Sequence, residues 1–421
     1  VEQDKQLYLK VDKSGRLVFP PEVAARYGLA PGCRLPLAEG AAELRLLRPS
    51  RLSKLYIEPT NQCNLDCRTC MRNVWEEPLG MMSDAVFDRI IAGLKGFSPV
   101  PTVFFGGFGE PLFHTKIIAM VRRAKELGAR VELITNGTLL TRELSKELVK
   151  TAIDVIWVSL DGATPESYAD IRLGAELPKV VENLGYLYDA IRAEGSIVRS
   201  MIGSLPVFKT ELGIEFVAMK RNISDLPAVL VLGRQFDARR FIITNVLPYT
   251  KEMSEQALYH YMQRMGNSYP QLSLPRMQDT GIPEEMIARE THAMNVTRAG
   301  CDEQSPRDRC PFIESGAGAI SWDGNLSPCL PLMHTHTSYL ACYQRYSRRY
   351  TVGNIMEKSL CELWNDPEHI AFRQRVQSFD FAPCTSCGGC ELSESNEEDC
   401  AGNPFPTCGG CLWAQGLIQC P

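Results

Sequence analysis

Cys63, Cys67 and Cys70 stand in the run Cys-Asn-Leu-Asp-Cys-Arg-Thr-Cys, directly after the apolar stretch Leu55-Tyr56-Ile57. Three thiolates on one tight loop can hold three irons of a 4Fe-4S cluster, and the fourth iron is then left without a protein ligand. An open metal position is where a small molecule can bind and react, as at catalytic zinc centres that keep one coordination place free. Zinc is the alternative occupant. A closed zinc site wants a fourth Cys or His close by, and residues 50–80 supply none.

The chain carries sixteen cysteines in 421 residues, and twelve of them lie in residues 301–421, seven in residues 384–420. Such knots read as metal ligands, because a reducing compartment keeps thiols free and disulfides would be spread over a fold. Cys310 and Cys329 flank Ile320-Ser-Trp-Asp-Gly-Asn-Leu, where a hairpin turning at Asp323-Gly324 is expected to bring the two thiols together. Cys384, Cys387, Cys390, Cys400, Cys408, Cys411 and Cys420 follow, with C-x2-C steps that suit iron-sulfur clusters or zinc ribbons. Cys301, Cys342 and Cys361 read as ordinary buried thiols and Cys33 as core. His334 and His336 read as solvent-facing loop residues.

Positioning these groups falls to a long alternation of elements. Strands are expected over 55–58, 102–105, 130–135, 155–160, 214–218 and 241–246, with helices over 83–94, 117–127, 142–150, 178–193 and 225–236. Alternating strands and helices imply a parallel sheet with helical crossovers. The expected class is α/β: a partial (β/α)6 TIM-type barrel whose working face lies at the C-terminal ends of its strands. Those ends carry polar residues: Gly106-Gly107-Phe108-Gly109-Glu110 after the second strand, Thr135-Asn136-Gly137 after the third, Ser159-Leu160-Asp161-Gly162 after the fourth. Each is an ordinary turn sequence taken alone, and their coincidence on one face is what points to a site.

Two flanking parts complete the chain. Residues 1–50 read as a small β-rich unit with strands over 7–11, 16–19, 35–37 and 43–47, a turn at Asp12-Lys13-Ser14-Gly15 and a helix over 20–27. Its Val-Asp-Lys-Ser-Gly-Arg-Leu-Val-Phe-Pro pattern resembles the swapped-hairpin fold of AbrB-type regulators, a family that binds DNA. Its few basic residues are mixed with acids, so docking or partner recognition is expected in place of DNA reading. Residues 251–300 are expected to form a bridge of two helices, over 254–265 and 283–296, with methionines as adaptable core. The resulting division is 1–50, 51–250, 251–300 and 301–421.

The cysteine triplet ahead of a Gly-Gly-x-Gly-Glu turn on a six-strand partial barrel resembles the radical S-adenosylmethionine (SAM) superfamily. That resemblance implies that the open iron chelates SAM and that Gly107, Gly109 and Glu110 hold its amino group. It further implies that Thr135 and Asn136 line the methionine part, Ser159 and Asp161 face the ribose, and Arg172 pairs with the carboxylate. Thr69 departs from the family, where an aromatic residue often precedes the third cysteine. Cys310-x13-Gly324-x4-Cys329 ahead of a cysteine knot is similar to the SPASM extension of the same superfamily, which carries auxiliary 4Fe-4S clusters. Here two residues separate Cys387 from Cys390 where five are usual. Two full clusters need eight thiolates, and nine fit the pattern from Cys310 onward, so the pairing of ligands with clusters stays open.

Composition narrows the rest. With 44% hydrophobic residues and a net charge of -5, the chain is an ordinary globular protein without a generally basic, nucleic-acid-binding surface. No apolar run approaches the ~20 residues that cross a bilayer, and Val1-Glu2-Gln3-Asp4-Lys5 lacks the plan of a signal peptide, so a cytoplasmic protein is expected. The cysteine-rich end and the N-terminal unit together look similar to radical maturases that accompany tungsten-dependent aldehyde ferredoxin oxidoreductases. This implies a 5'-deoxyadenosyl radical generated by reductive cleavage of SAM, a protein or peptide substrate, and a ferredoxin- or flavodoxin-type electron donor. A peptide maturase forming carbon-carbon or carbon-sulfur crosslinks is the first alternative, and a redox-sensing DNA-binding regulator the second. No residue stands out as a catalytic acid or base.

Overall fold

Asp12 turns the first hairpin: its carboxylate accepts hydrogen bonds from the amides of Ser14 (2.8 Å) and Arg16 (2.9 Å), and Gly15 takes a φ of +77°, which side chains resist. Around this turn β1 (Lys10–Val11) pairs antiparallel with β2 (Leu17–Val18), and further along β3 (Leu37–Glu39) pairs antiparallel with β4 (Leu44–Leu46). A computed structural model describes residues 10–20, 37–39, 44–46, 51–200, 203–262, 271–273, 295–298, 308–340, 343–385 and 390–421. The expected helix over 20–27 and Cys33 lie outside the described residues, apart from Pro20. The chain divides into two units, Val1–Arg51 and Leu52–Pro421.

The second unit is built on strands β5 (Lys54–Ile57), β6 (Thr102–Phe105), β7 (Val131–Thr135) and β8 (Val155–Ser159). A separate antiparallel hairpin of β9 (Ser196–Ser200) and β10 (Gly203–Val207) precedes β11 (Glu211–Ala218) and β12 (Arg240–Asn245). After these come the antiparallel pair β13 (His260–Met262) and β14 (Gln271–Ser273), then β15 (Asn295–Arg298). The cysteine-rich part supplies β16 (Ala317–Ile320), β17 (Asn325–Ser327), the hairpin β18 (His336–Leu340) with β19 (Tyr343–Ser347), and β20 (Gly353–Asn354). One sheet runs β15-β12-β11-β8-β7-β6-β5-β16-β17-β20, parallel from β15 to β16.

Parallel strands need crossovers, and the sequence signals them with caps. Ser83 accepts from the Val86 amide ahead of Asp84–Leu94, and Thr141 accepts from Leu144 ahead of Arg142–Lys150. Helix Asp84–Leu94 buries Val86, Phe87, Ile90, Ile91 and Leu94, one stripe of a 3.6-residue period. The strands alternate with period two: Leu55, Ile57, Val103, Phe105, Ile156 and Val158 join the core under the helices. Tyr56, Phe104, Val155, Trp157 and Ile242 face the other way, into a second core shared with Phe312, Leu330, Trp413 and Ile418 of the cysteine-rich part. That part is thus packed on the inner face of the barrel sheet.

The sheet exceeds the six expected strands at both edges. β16 adds parallel to β5 in the register Ile320↔Ile57, and β15 adds parallel to β12 in the register Asn295↔Arg240. The helix expected over 254–265 is wrong: a shorter helix, Lys251–Gln256, is capped by Thr250, and Ala257 turns out of it at φ -59° and ψ 134° before β13. Of the helix expected over 283–296, residues 283–294 lie outside the described residues, and Asn295 and Val296 belong to β15. A short helix, Pro165–Ile171, closed by a Thr164/Ser167 capping box, was not anticipated. Among the described residues no helix is long and apolar enough to cross a membrane.

Candidate active site

The cysteine loop leaves β5 through Glu58 and is pinned from above by the turn after Pro165–Ile171. The amides of Asp66 and Arg68 donate to the carbonyls of Leu173 (3.1 Å) and Ile171 (3.0 Å). Within the loop the Leu65 amide points at Cys63 Sγ (3.4 Å), and Asn73 Nδ2 donates to the Cys67 carbonyl (2.9 Å). Burial pushes the Cys67 thiol up to about 12 against the pull of Arg172, and burial likewise raises Cys63 and Cys70. Iron binds thiolate, so iron entry displaces protons here. The three thiols lie near enough for the charge of each to act on its neighbours, and a cluster presents a separate iron to each. The donor set therefore fits a 4Fe-4S cluster.

The strand-end loops are held together by their own polar groups. Glu110 is 2% exposed; its Oε1 accepts from the Leu112 amide (2.9 Å) and its Oε2 from the Asn136 amide (2.7 Å), bracing the second loop against the third. Burial raises its pKa against these bonds. Gly109 lies so close to the loop after β5 that a Cβ would stand 2.1 Å from the Thr60 carbonyl oxygen, and at Gly107 one would meet Glu58 Cγ at 2.8 Å. Both glycines are thus required by close approach of two loops. Asn136 reaches the cluster loop, with Nδ2 3.0 Å from Asn64 Oδ1 and 3.7 Å from Cys63 Sγ, while Thr135 Oγ1 accepts from the Gly137 amide (3.0 Å).

Asp161 is fully buried and spoken for: Oδ2 takes Arg172 Nε (2.9 Å) and Nη2 (2.6 Å), and Oδ1 takes the Val217 amide (2.8 Å). Its carboxylate thus positions Arg172, whose charge in turn acts on Cys67. Ser159 Oγ donates to Glu215 Oε2 at 3.3 Å. Burial pushes Glu215 up to about 7, helped by the nearby Asp161 charge. Glu215 was not anticipated; its signal was a carboxylate in the apolar run Leu212-Gly-Ile-Glu-Phe-Val.

Thr69 of the cluster loop, Gly107 and Phe108 of the glycine loop, Glu215, Tyr249 and Trp413 line one chamber of roughly 750 Å³. Its floor is the segment Ile418–Pro421, which is hydrogen-bonded to Thr244 of β12 and to Lys54 and Tyr56 of β5. Cys420 lies on this floor, and among the described residues it is the one cysteine that lines this chamber.

Cys310, Cys329, Cys408 and Cys411 line a second cavity beneath it. The hairpin expected at Asp323-Gly324 is present, with Ala319↔Ser327 paired and Gly324 at φ +87°. Cys384, Cys390 and Cys400 lie near one another, ordered by Asp399, which accepts from the amides of Ala382, Ala401 and Asn403, each at 3.0 Å. Cys387 lies outside the described residues, as do Cys301 and Cys342; Cys361 is half-buried with Sγ 3.9 Å from the Gly93 carbonyl. Between the two groups stands Arg345, 4% exposed, bordering the four-cysteine cavity and hydrogen-bonded to Cys384.

His334 and His336 are 1% and 5% exposed, so the reading of both as solvent-facing is corrected. The chain folds back between the barrel and the cysteine knot, and their polar neighbours were encoded far away in sequence. His334 lies between Glu58 and Glu77 and against the Trp75 ring at 4.3 Å. Burial would lower its pKa, but Glu58 and Glu77 carry it up to about 9. His336 goes the other way, pushed by burial down to about 4.

Comparison with known proteins agrees with this geometry. Residues 57–206 match the radical SAM superfamily model and residues 310–391 the SPASM model of an iron-sulfur cluster-binding domain. The chain is similar to the tungsten-containing aldehyde ferredoxin oxidoreductase cofactor-modifying protein of Pyrococcus furiosus, 29% identical over 87% of this chain and 96% of that one. It is also similar to the Fe-coproporphyrin III synthase of Methanosarcina barkeri, 23% identical over 73% of this chain and 72% of that one. Streptococcus suis SuiB bound to S-adenosylmethionine shares the fold at a TM-score of 0.54 and 18% identity, over 80% of this chain and 71% of that one. Native anSMEcpe with bound AdoMet does so at 0.53 and 17%, over 86% and 95%. With its triplet loop at the head of a parallel barrel sheet and its cysteine knot packed on the inner face, this chain is a radical SAM enzyme with a SPASM-type iron-sulfur domain.

Proposed function

We propose that the chain is a radical maturase that modifies a protein-associated substrate, in finishing a tungsten-dependent oxidoreductase or its tungstopterin cofactor. The observation that carries this reading is the shared chamber, lined by Thr69 from the cluster loop and by Leu330 and Trp413 from the cysteine-rich part. One wall belongs to the radical-generating side and the opposite wall to the auxiliary side, which is the arrangement that a substrate oxidised between two electron-carrying centres needs. The similarity to the Pyrococcus furiosus protein along nearly its whole length supplies the substrate class.

Cys63, Cys67 and Cys70 would hold the cluster that chelates SAM, and together these groups supply one-electron cleavage to a carbon radical. Glu110, braced by two amides, keeps Gly107 and Gly109 against the loop after β5 and leaves its outer lone pairs toward the place of an ammonium group. Arg172, fixed by Asp161, presents its remaining donors beside Cys67, suited to a carboxylate. The apolar walls Phe104, Phe108, Ile134 and Val217 exclude water, which a radical site requires for selectivity. Cys310, Cys329, Cys408 and Cys411 would hold one auxiliary cluster, and Cys384, Cys390 and Cys400 with Cys387 the other. Residues 1–50 would serve partner recognition, and a ferredoxin- or flavodoxin-type protein would deliver electrons.

Anaerobic protein incubated with dithionite and SAM should release 5'-deoxyadenosine, and release should rise when the apoprotein of a tungsten aldehyde oxidoreductase is added. Stimulation by a ribosomal precursor peptide in its place would establish the crosslinking alternative. A redox-sensing regulator would release no 5'-deoxyadenosine under either condition.

A further inference from the structure

With Cys342 and Cys361 set aside, nine cysteines remain from Cys310 onward, one too many for two four-iron clusters. The structure separates one of them. Cys310, Cys329, Cys408 and Cys411 share a cavity, Cys384 neighbours Cys390 and Cys400, and Cys420 joins neither group. Its backbone is clamped on both sides. The Leu417 carbonyl accepts from Asn245 Nδ2 (2.8 Å) and the Gln419 amide donates to Thr244 Oγ1 (2.9 Å). Beyond it, the Pro421 carbonyl accepts from Lys54 Nζ (2.6 Å) and the Tyr56 hydroxyl (2.8 Å). Trp413 Nε1 lies 3.4 Å from Cys420 Sγ, so the sulfur accepts from the indole and keeps its own proton to donate.

A second observation points to a ligand in the same place. Tyr249, 3% exposed, lines the chamber with Cys420, and its hydroxyl has no partner among the described residues. A buried hydroxyl left unpaired costs about 1 to 3 kcal/mol, which a bound group would recover. Thr244 also lines the chamber; its oxygen already accepts from Gln419, so its proton is available to donate. The chamber thus offers several uncharged donors between the aromatic walls Phe108 and Trp413, and its described lining includes Glu215 but no lysine or arginine.

We propose that Cys420 is a substrate-facing thiol of the barrel chamber and not a cluster ligand, and that with Tyr249 and Thr244 it binds a neutral, planar group rich in hydrogen-bond acceptors. The inference rests on the maturase reading for calling that group substrate. A phosphate or carboxylate would find no lysine or arginine among the described lining residues to pair with, so an uncharged group suits this part of the site better than an anion.

Two measurements on anaerobically reconstituted full chain test it. Cys420→Ala should keep the iron and sulfide of the wild type, whereas Cys329→Ala should lose about four irons. Loss of about four irons in Cys420→Ala would make it a ligand and overturn the proposal. Nicotinamide and nicotinate, one ring differing in charge, probe the chamber by saturation-transfer NMR. The wild type should bind nicotinamide in preference, and Cys420→Ala and Tyr249→Phe should each weaken it about three- to tenfold. Preference for nicotinate, no binding of either, or binding indifferent to both variants would overturn the assignment. Release of 5'-deoxyadenosine by the wild type is scored separately, so failure of the maturase reading is recognisable without either result.

Discussion

His334 Nε2 lies 2.9 Å from Glu58 Oε2, and both side chains are almost wholly out of solvent. Glu58 directly follows β5 and also accepts from the Phe108 amide (3.1 Å), so this pair ties the cysteine-rich part to the two loops that frame the cluster. Glu77 takes the other imidazole nitrogen and the Thr335 amide (2.8 Å). With its folded pKa raised from 6.5 to about 9, His334 contributes stability that is fully present below about pH 6.5 and is lost as pH rises through about 9. The contribution is on the order of 3 kcal/mol. Thermal unfolding of anaerobic wild type and His334→Gln at pH 6.5 and pH 9.5 checks it, since the wild-type advantage should shrink at the higher pH. Parallel curves would show that the imidazole is not charged in the fold.

Replacing Cys63, Cys67 and Cys70 together by Ala should abolish 5'-deoxyadenosine release while leaving the iron of the auxiliary sites in place. Iron should fall by about four atoms per chain, because each set of thiols holds its own cluster. Normal cleavage by the triple variant would mean that the triplet is not the site.

Much of the barrel was legible because its signals are local. The helices expected over 83–94 and 142–150 are present, each opened by a hydroxyl cap, Ser83 and Thr141, directly ahead of its first turn. The sheet edges were not legible, because β16 pairs with β5 across more than 250 residues, a contact with no local signature. Thr250 was overlooked as a cap, which moved a helix by three residues and hid β13. The strand-end residues were read as ligand contacts, yet Glu110 and Asp161 spend much of their hydrogen-bonding capacity on neighbouring loops, a brace visible only once the strands are side by side. His334 and His336 lie in Leu-Met-His-Thr-His-Thr, a composition that looks like loop and is buried only by its distant partners.

Gly109 and Gly185 should respond to alanine with opposite signs. At Gly109 the new Cβ would meet backbone oxygens of Thr60 and Gln62 at 2.1 and 2.7 Å, and neither loop can retreat without breaking the Glu110 to Gln62 amide-carbonyl bond (2.9 Å). A loss of ~3 kcal/mol is expected. Gly185 is inside Leu177–Ala193, where a Cβ would touch Phe236 at an ordinary 3.9 Å, so alanine should gain about 1 kcal/mol of helix stability. Melting temperatures of the two variants measure both.

Arg345 should raise the reduction potential of the auxiliary centres. Its guanidinium is buried, donates to the Ser393 carbonyl (2.5 Å) and is packed so closely on Gly410 that a Cβ there would stand 2.7 Å from Cζ. Gly410 lies between Cys408 and Cys411, and the guanidinium also hydrogen-bonds to Cys384, so one fixed positive charge acts on both groups of thiols. Adding an electron to either cluster adds negative charge, which the guanidinium stabilises in a site poorly screened by water. Arg345→Gln should therefore lower an auxiliary midpoint potential on the order of 50 mV, read by EPR-monitored redox titration, while Arg345→Lys should restore most of the shift. An unchanged potential in a glutamine variant with full iron would show that the charge serves only to hold Ser393 and the cysteine loop in place.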